Sequence, residues 1–142
     1  MIEFYRVQEA YGCFSNFAKY SFVVDGVLWK TSEHYFQAHK FIEKNIFEKI
    51  RLAENPMVAA NLGRSRNYPI REDWEQVKDD VMRRAVLEKF RQNEDIRNIL
   101  LETGTQSIVE KTEADYYWGC GRDGGGKNML GRILMETREL LG

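Results

Sequence analysis

The chain has 142 residues, of which 43% are hydrophobic and 13% aromatic, so it is long enough to bury a core without disulfides or metals to support it. Its 21 Lys and Arg side chains against 22 Asp and Glu side chains give a formal net charge of −1, which excludes an overall basic field for nucleic acid and leaves only local contacts of that kind. Cys13 and Cys120 are far apart and form no CxxC pattern, so neither a disulfide framework nor a cysteine zinc site is predicted.

The amino-terminal stretch MIEFYRVQEAYG lacks the basic segment and apolar run of a secretory signal. No apolar run approaches the about 18 residues that cross a bilayer. We therefore expect a cytoplasmic protein that does not bind membranes. No repeat, low-complexity segment or flexible linker divides the sequence, so a single domain over residues 1–142 is expected.

The first forty residues carry the clearest β signals. IEFYRV (residues 2–7) has strand composition, and YSFVVDGVLWK contains two β-type runs around Asp25 and Gly26. This pair suits a type I′ hairpin turn because both residues readily adopt a positive φ. A helix is predicted to follow from Ser32, with Thr31 or Ser32 as its N-cap.

The remaining elements are mostly helical. Helices are predicted through IFEKIRLA, from Asn55-Pro56 to a left-handed Gly63, over residues 73–92, after Asn93, and over residues 128–141. QSIVE is predicted to form one more strand. These elements show no strict βαβ alternation, so the expected fold class is α+β, mainly helical around a small β-sheet.

The stretch TSEHYFQAHKF is the first candidate for a site. If it forms one helix, Glu33, Gln37, Lys40 and Lys44 fall within about 60° of one another, so a carboxylate and an amine share one face. The alternative is a solvated polar face with an i,i+4 pair. Phe36, which lies beside Lys40, fits that alternative less well.

Two histidines in the same stretch, His34 and His39, are five residues apart. On a helix they point about 140° from each other and do not form the i,i+4 zinc pair of HExxH. No metal site is predicted.

The glycine-rich stretch WGCGRDGGGKN is the second candidate. Gly121, Gly126 and Lys127 reproduce GxxxxGK, but Asn128 replaces the Ser or Thr that binds Mg²⁺ in a P-loop, and no apolar strand precedes the glycines. A nucleotide-hydrolysing P-loop is therefore not predicted. Either a loop that approaches a phosphate or an ordinary surface turn fits the glycines.

Several fragments in this order resemble the NADAR family, also called the YbiA-like family. They are FSNF, DGVLWKTSEHYFQAHKF, NLGR, VMRRAVLEKFRQN, LLETGTQSIVE and DYYWGCGRDGGGKNMLGRILMETR. Together they cover the chain nearly end to end. The central block and the closing DxxWGxG…GxNxLG pattern carry most of the resemblance.

The resemblance implies an N-glycosidase that splits the bond between a ribosyl C1′ carbon and a nitrogen. The first expected substrate is ADP-ribosylated guanine, as a nucleoside or in nucleic acid, and the alternative is an early phosphorylated intermediate of riboflavin synthesis. The expected partner is accordingly an ADP-ribosylated guanine or another molecule bearing ribose phosphate. No cofactor and no metal are expected.

The resemblance also implies the site residues. Three are expected to be catalytic: Glu33, Lys40 and Asp115. Eight are expected to bind substrate: Asn16, Trp29, Gln37, Arg64, Glu110, Trp118, Gly119 and Asn128. Glu33 is the expected acid or base.

Lys40 either attacks C1′ to form a Schiff base, which needs a neutral amine, or assists a direct hydrolysis. Asp115 or Glu110 is expected to steady the sugar, Trp118 or Trp29 to stack on a base, and the N–H groups of residues 119–128 to receive phosphate. Taken without the resemblance, Asn16, Glu110 and Asp115 equally fit caps, turns or paired core groups. Two alternatives to an enzyme remain, a module that binds ADP-ribose or another nucleotide without cleaving it, and a helical interaction domain.

Overall fold

A computed structural model describes residues 1–142 as six α-helices, one short 3-10 helix and two pairs of strands. The strands are β1 (Ile2–Phe4), β2 (Phe22–Val24), β3 (Val27–Trp29) and β4 (Ile108–Glu110). The helices are α1 (Ser32–Ala38), α2 (Lys44–Arg51), α3 (Pro56–Arg64), α4 (Trp74–Gln92), α5 (Glu94–Glu102) and α6 (Met129–Leu141). The predicted α+β class with a majority of helix is confirmed, and the strands form two separate two-stranded sheets.

The chain divides into two compact units. One is Lys19–Lys89, and the other joins Met1–Ala18 to Phe90–Gly142. The single domain expected over residues 1–142 stays a prediction. None of the helices combines the length and the apolar character that crossing a membrane requires.

In the unit Lys19–Lys89, β2 and β3 form the predicted antiparallel hairpin. Asp25 and Gly26 have φ values of 52° and 78°, which confirms the type I′ turn. The inward residues Phe22 and Trp29 join one apolar core with α1, α2 and α3. This core holds α1 on the apolar side of the hairpin, so the position of α1 is set by packing.

In the other unit, β1 and β4 pair in parallel, with Ile2 opposite Ile108 and Phe4 opposite Glu110. The ring of Phe14 lies 5.8 Å from that of Phe4 and 5.9 Å from that of Phe90, in edge-on arrangements. Helix α6 packs along β4 and α5. The predicted strand at QSIVE and the last helix are confirmed.

One predicted helix end was wrong, and the stretch TSEHYFQAHKF does not form one helix throughout. Helix α1 ends at Ala38, because His39 Nδ1 donates to the Tyr35 carbonyl and Lys40 N–H turns back to the Gln37 carbonyl. The chain therefore does not continue as one helix to Lys44. Gly63 is not a left-handed residue after α3: it lies inside the helix, which ends at Arg64.

Candidate active site

Thr31 and His34 fix the start of α1. The Thr31 hydroxyl accepts the His34 backbone N–H at 3.2 Å and lies 2.8 Å from His34 Nδ1. Because His34 Nε2 faces the Ala53 carbonyl at 3.1 Å, Nε2 is the donor and Nδ1 accepts from the hydroxyl. Burial lowers the pKa of His34, which favours the neutral ring. His34 thus ties α1 to the end of α2 and contributes no metal ligand.

Glu33 and Gln37 form a buried pair on the next turn of α1. Gln37 Nε2 donates to Glu33 Oε2 at 2.7 Å, and the two residues are only 9% and 7% exposed. The alternative interpretation, a polar face exposed to solvent, is therefore wrong for Glu33 and Gln37. Gln37 Oε1 is buried and has no hydrogen-bond partner. A buried carboxylate hydrogen-bonded to a neutral amide is a costly arrangement that points to function.

Gly63 in α3 lies directly against the Gln37 amide. A Cβ at this position would collide with Gln37 Oε1 and Cδ and would force the buried amide to move, so glycine lets α3 and the Gln37 amide approach each other closely. This explains a glycine inside a helix, where it would otherwise cost stability.

Lys40 follows α1 in the turn before α2. Its Nζ lies 3.5 Å from the Gly63 carbonyl oxygen and 5.9 Å from the centre of the Phe36 ring. Burial lowers the pKa of Lys40, the negative charge of Glu33 opposes that shift, and the positive charges of Arg66 and Arg64 add to it. The amine is thus closer to neutrality than an exposed lysine, as attack on a carbon requires.

Arg64 and Arg66 lie at the carboxyl end of α3. Arg64 Nη1 donates to Asn61 Oδ1 at 3.0 Å, and Arg66 Nη1 donates to the carbonyls of Gly63 and Ser65, both at 3.1 Å. The sequence pointed to Arg64 but missed Gly63 and Arg66. The signal that would have found them is GRSR, a glycine inside a helical pattern followed by two arginines.

Trp29 lies on the other side of α1. It is 2% exposed, and its ring packs 5.1 Å from Tyr35, 5.3 Å from His39 and 5.5 Å from Phe47. These rings line a surface cavity of about 410 Å³ beside the hairpin turn. The structure therefore does not bring Trp29 onto the face of Glu33, and its expected role in substrate binding stays a prediction.

Asp115, Trp118 and Gly119 belong to a loop after β4. Asp115 is exposed, and its Oδ1 accepts the backbone N–H groups of Tyr117 at 2.9 Å and Trp118 at 2.8 Å. Trp118 packs edge-on against Tyr117 at 4.9 Å. Gly119 is required because a Cβ there would collide with Thr112. These contacts give Asp115 a role in shaping the loop, and its catalytic role stays a prediction.

Asn128 joins α6 to β4. Its Oδ1 accepts the Glu110 N–H at 3.0 Å and its Nδ2 donates to the Ile108 carbonyl at 2.9 Å. Asn128 has a φ of 53°, a left-handed value that asparagine tolerates better than most residues. Both ends of the amide are therefore used in the fold.

The glycine-rich stretch hydrogen-bonds mostly to its own loop and to nearby backbone. The N–H groups of residues 124, 126, 127 and 128 donate to carbonyls of residues 116–121, and that of Gly125 donates to Asp123 Oδ1. Gly121 N–H donates to Thr112 Oγ1. Few N–H groups are left for a phosphate, which weakens the expected phosphate cradle at this loop.

The structure brings Glu33, Gln37 and Lys40 together within the unit Lys19–Lys89, with Arg64 close enough to act on Lys40. Of the other residues expected to act, six belong to the second unit: Asn16, Glu110, Asp115, Trp118, Gly119 and Asn128. Asn16 is half-buried in the turn after the 3-10 helix Gly12–Phe14. No three His, Cys, Asp or Glu side chains are grouped so as to hold a metal ion.

The chain is similar to proteins of known name along its whole length. It is 52% identical to N-glycosidase YbiA of Escherichia coli, over 99% of this chain and 88% of that protein. It is 45% identical to an N-glycosidase of Nostoc punctiforme, over 97% of this chain and 90% of that protein. A riboflavin biosynthesis protein of Vibrio vulnificus is 43% identical over 99% of this chain, which matches 38% of that longer protein.

The fold has a solved counterpart. The NMR structure of E. coli YbiA superposes with a TM-score of 0.92 and covers 99% of this chain and 83% of that one. The NADAR domain matches residues 3–142. The chain therefore belongs to the NADAR family.

Proposed function

We propose that this protein hydrolyses the bond between a ribosyl C1′ carbon and a nitrogen, with Glu33 and Lys40 at the reacting centre and ADP-ribosylated guanine as the first candidate substrate. That the chain is a hydrolase acting on N-glycosyl bonds rests on its 52% identity to an N-glycosidase over nearly its full length. The observation that carries the site is the buried Glu33–Gln37 pair beside an amine of lowered pKa.

Cleavage of this bond builds positive charge on the ribose while the nitrogen leaves with the bonding electrons. Glu33 is suited to give a proton to the leaving nitrogen or to take one from the attacking water. Gln37 is able to hydrogen-bond to Glu33 in both its ionised and its protonated state. Its Nε2 donates to the carboxylate, and a rotated amide would accept from the carboxylic acid through Oε1, which has no other partner.

Lys40 fits two routes. In the covalent route its neutral amine bonds to C1′ as the C1′–N bond to the leaving nitrogen breaks and that nitrogen takes a proton. The C1′–O4′ bond of the resulting glycosylamine then opens, O4′ takes a proton and a Schiff base forms, which water hydrolyses to release the sugar. In the direct route water attacks C1′ and Lys40 acts only as a charge near the sugar. The lowered pKa of Lys40 favours the covalent route.

A second candidate substrate is an early phosphorylated intermediate of riboflavin synthesis. It is favoured by the Vibrio vulnificus relative, whose name places it in riboflavin biosynthesis and which aligns with 99% of this chain. Both candidates present a ribosyl C1′–N bond to the same side chains. They differ in the leaving group and in whether the ribose carries a monophosphate or a diphosphate.

The deciding experiment gives the purified protein each candidate separately and follows release of free guanine-containing or uracil-amine product by chromatography and mass spectrometry. Turnover of one candidate that disappears in Glu33→Gln assigns the substrate. Tight binding of ADP-ribose with no turnover of either candidate would contradict the enzyme and support a binding module.

A further inference from the structure

Arg64 and Arg66 differ from other arginines of their unit in their partners. Arg51, Arg71 and Arg83 each lie within 2.6 to 2.8 Å of a carboxylate oxygen. Arg64 bonds only to an amide oxygen, and Arg66 only to backbone carbonyls, so no carboxylate neutralises either guanidinium. Two arginines without a carboxylate partner thus lie two residues apart at the end of α3.

Arg66 and Lys40 share one acceptor. The Gly63 carbonyl oxygen lies 3.1 Å from Arg66 Nη1 and 3.5 Å from Lys40 Nζ, so the two cationic groups are close neighbours. Glu33 offsets part of the charge of Lys40, but the shared carbonyl does not neutralise Arg66, and an anion bound between the two cations would relieve their repulsion. An anion at this position would also lie next to the proposed reacting amine.

The structural contacts of Arg64 and Arg66 use only one terminal nitrogen of each guanidinium. Arg66 caps the last carbonyls of α3 through Nη1 alone, and Arg64 holds Asn61 through Nη1 alone. Their remaining N–H groups donate to nothing else in the protein. A guanidinium presents these donors as a planar fork that matches two oxygens of a phosphate.

We propose that Arg66, together with Arg64, binds the phosphate on the 5′ carbon of the ribose whose C1′–N bond is cleaved. This inference rests on the proposed function. In the substrate, a single ribose ring separates C1′ from the 5′-phosphate. In the protein, the Gly63 carbonyl oxygen lies between Lys40 Nζ, at 3.5 Å, and Arg66 Nη1, at 3.1 Å, so the amine and the guanidinium are separated by a similarly short distance. Both candidate substrates carry phosphate on that carbon, as a monophosphate in the riboflavin precursors and as a diphosphate in ADP-ribose.

The glycine-rich stretch is the competing place for a phosphate. Most of its N–H groups are bonded within its own loop, and a phosphate would have to displace those bonds. The free donors of Arg64 and Arg66 need no such exchange. The phosphate site therefore belongs to the two arginines and not to the glycines.

The first test compares kcat/KM for a cleaved substrate with kcat/KM for the same molecule without its 5′-phosphate. We expect the preference for the phosphorylated form to fall about 10- to 100-fold in Arg66→Ala, with partial recovery in Arg66→Lys, which restores charge without the fork. Arg51→Ala, which also removes an arginine but from the pair with Glu48, is the control and keeps the preference.

A second measurement is independent of turnover: calorimetric titration with ribose 5-phosphate, ADP-ribose and unphosphorylated ribose. Ribose 5-phosphate binding that Arg66→Ala weakens at least tenfold supports the site, and stronger loss with ADP-ribose identifies a diphosphate. Unchanged binding of ribose 5-phosphate in Arg66→Ala, or an equal loss of activity on the phosphorylated and unphosphorylated substrates, would overturn the proposed phosphate site. A protein that binds ribose 5-phosphate through Arg66 but cleaves nothing would contradict the proposed function alone.

Discussion

Gly63 in α3 lies in contact with the side-chain amide of Gln37 in α1, at a distance that leaves no room for a Cβ. The same residue offers its carbonyl oxygen to Lys40 Nζ at 3.5 Å. Gln37 in turn donates to Glu33. One peptide of α3 therefore positions both the carboxylate and the amine of the proposed site, although Gly63 has no side chain.

Gly63→Ala should displace the Gln37 amide and lower both kcat/KM and stability. Overpacking typically costs about 1 to 3 kcal/mol of unfolding free energy. Because Gln37 holds Glu33, the misplaced amide should also reduce turnover at least tenfold. Steady-state kinetics and urea denaturation measure the two effects, and Val58→Ala at an exposed position of the same helix is the control. Full activity in Gly63→Ala would show that the Gln37 amide has no part in positioning Glu33.

Glu33→Gln should abolish turnover and leave the fold intact. The change is nearly isosteric, and its amide oxygen still accepts the Gln37 hydrogen bond, so only ionisation is lost. A positioned acid or base contributes about 10² to 10⁴ in rate. Glu54→Gln makes the same change at an exposed position and should keep wild-type activity. Retention of more than about a tenth of the rate in Glu33→Gln would exclude this role for Glu33.

Lys40 should be trapped by borohydride during turnover if the covalent route operates. Because the pKa of Lys40 is lowered, its amine becomes neutral at a lower pH than that of an exposed lysine. We therefore expect kcat/KM to be low at pH values below this pKa and to rise as the pH passes through it. Intact-mass spectrometry detects the sugar adduct, which Lys40→Ala cannot form and which Lys44→Ala, an exposed neighbour, should form normally. Turnover under borohydride without an adduct would leave Lys40 as an electrostatic group.

The local signals in the sequence were sufficient for most elements. Asp25 and Gly26 specify their turn because few pairs adopt two positive φ values, and Asn55-Pro56 specifies a helix start by capping and a fixed φ. Periodicity could not show that α1 is buried on all sides or that it stops at Ala38. Those features depend on packing by α2, α3 and the hairpin, which are distant in sequence.

The same limit applies to the site. Helical spacing placed Glu33 beside Gln37 because both lie on one helix, whereas Lys40 reaches them from a turn that a helical projection does not describe. Local rules predict a helix stop at Gly63 because they consider only φ, whereas the role of this residue comes from contact with another helix. GRSR marks Arg66 only as the second of two nearby arginines, because its carbonyl partners and its proximity to Lys40 appear only in the folded chain.

Asn128→Ala should reduce stability as well as any substrate binding. The change removes both hydrogen bonds to β4 and places alanine at a left-handed φ of 53°, for an expected loss of about 2 to 4 kcal/mol of unfolding free energy. Denaturant titration measures it, and Lys127→Ala, which alters the preceding exposed residue, should change stability little. A raised KM at unchanged stability would instead support the predicted role of Asn128 in substrate binding.

The GxxxxGK match at Gly121 to Lys127 should carry no magnesium-dependent ATPase activity. Asn128 occupies the position of the metal-binding hydroxyl, and the loop N–H groups that would surround a phosphate bond to one another's carbonyls. Chelation by EDTA should therefore leave glycosidase activity unchanged, and ATP incubated with the protein and Mg²⁺ should remain intact by phosphate release assay. Lys127→Ala should behave as wild type in both assays. A magnesium-dependent ATPase activity that persists through purification and vanishes in Lys127→Ala would contradict both the interpretation of the loop and the assignment to glycosidase chemistry.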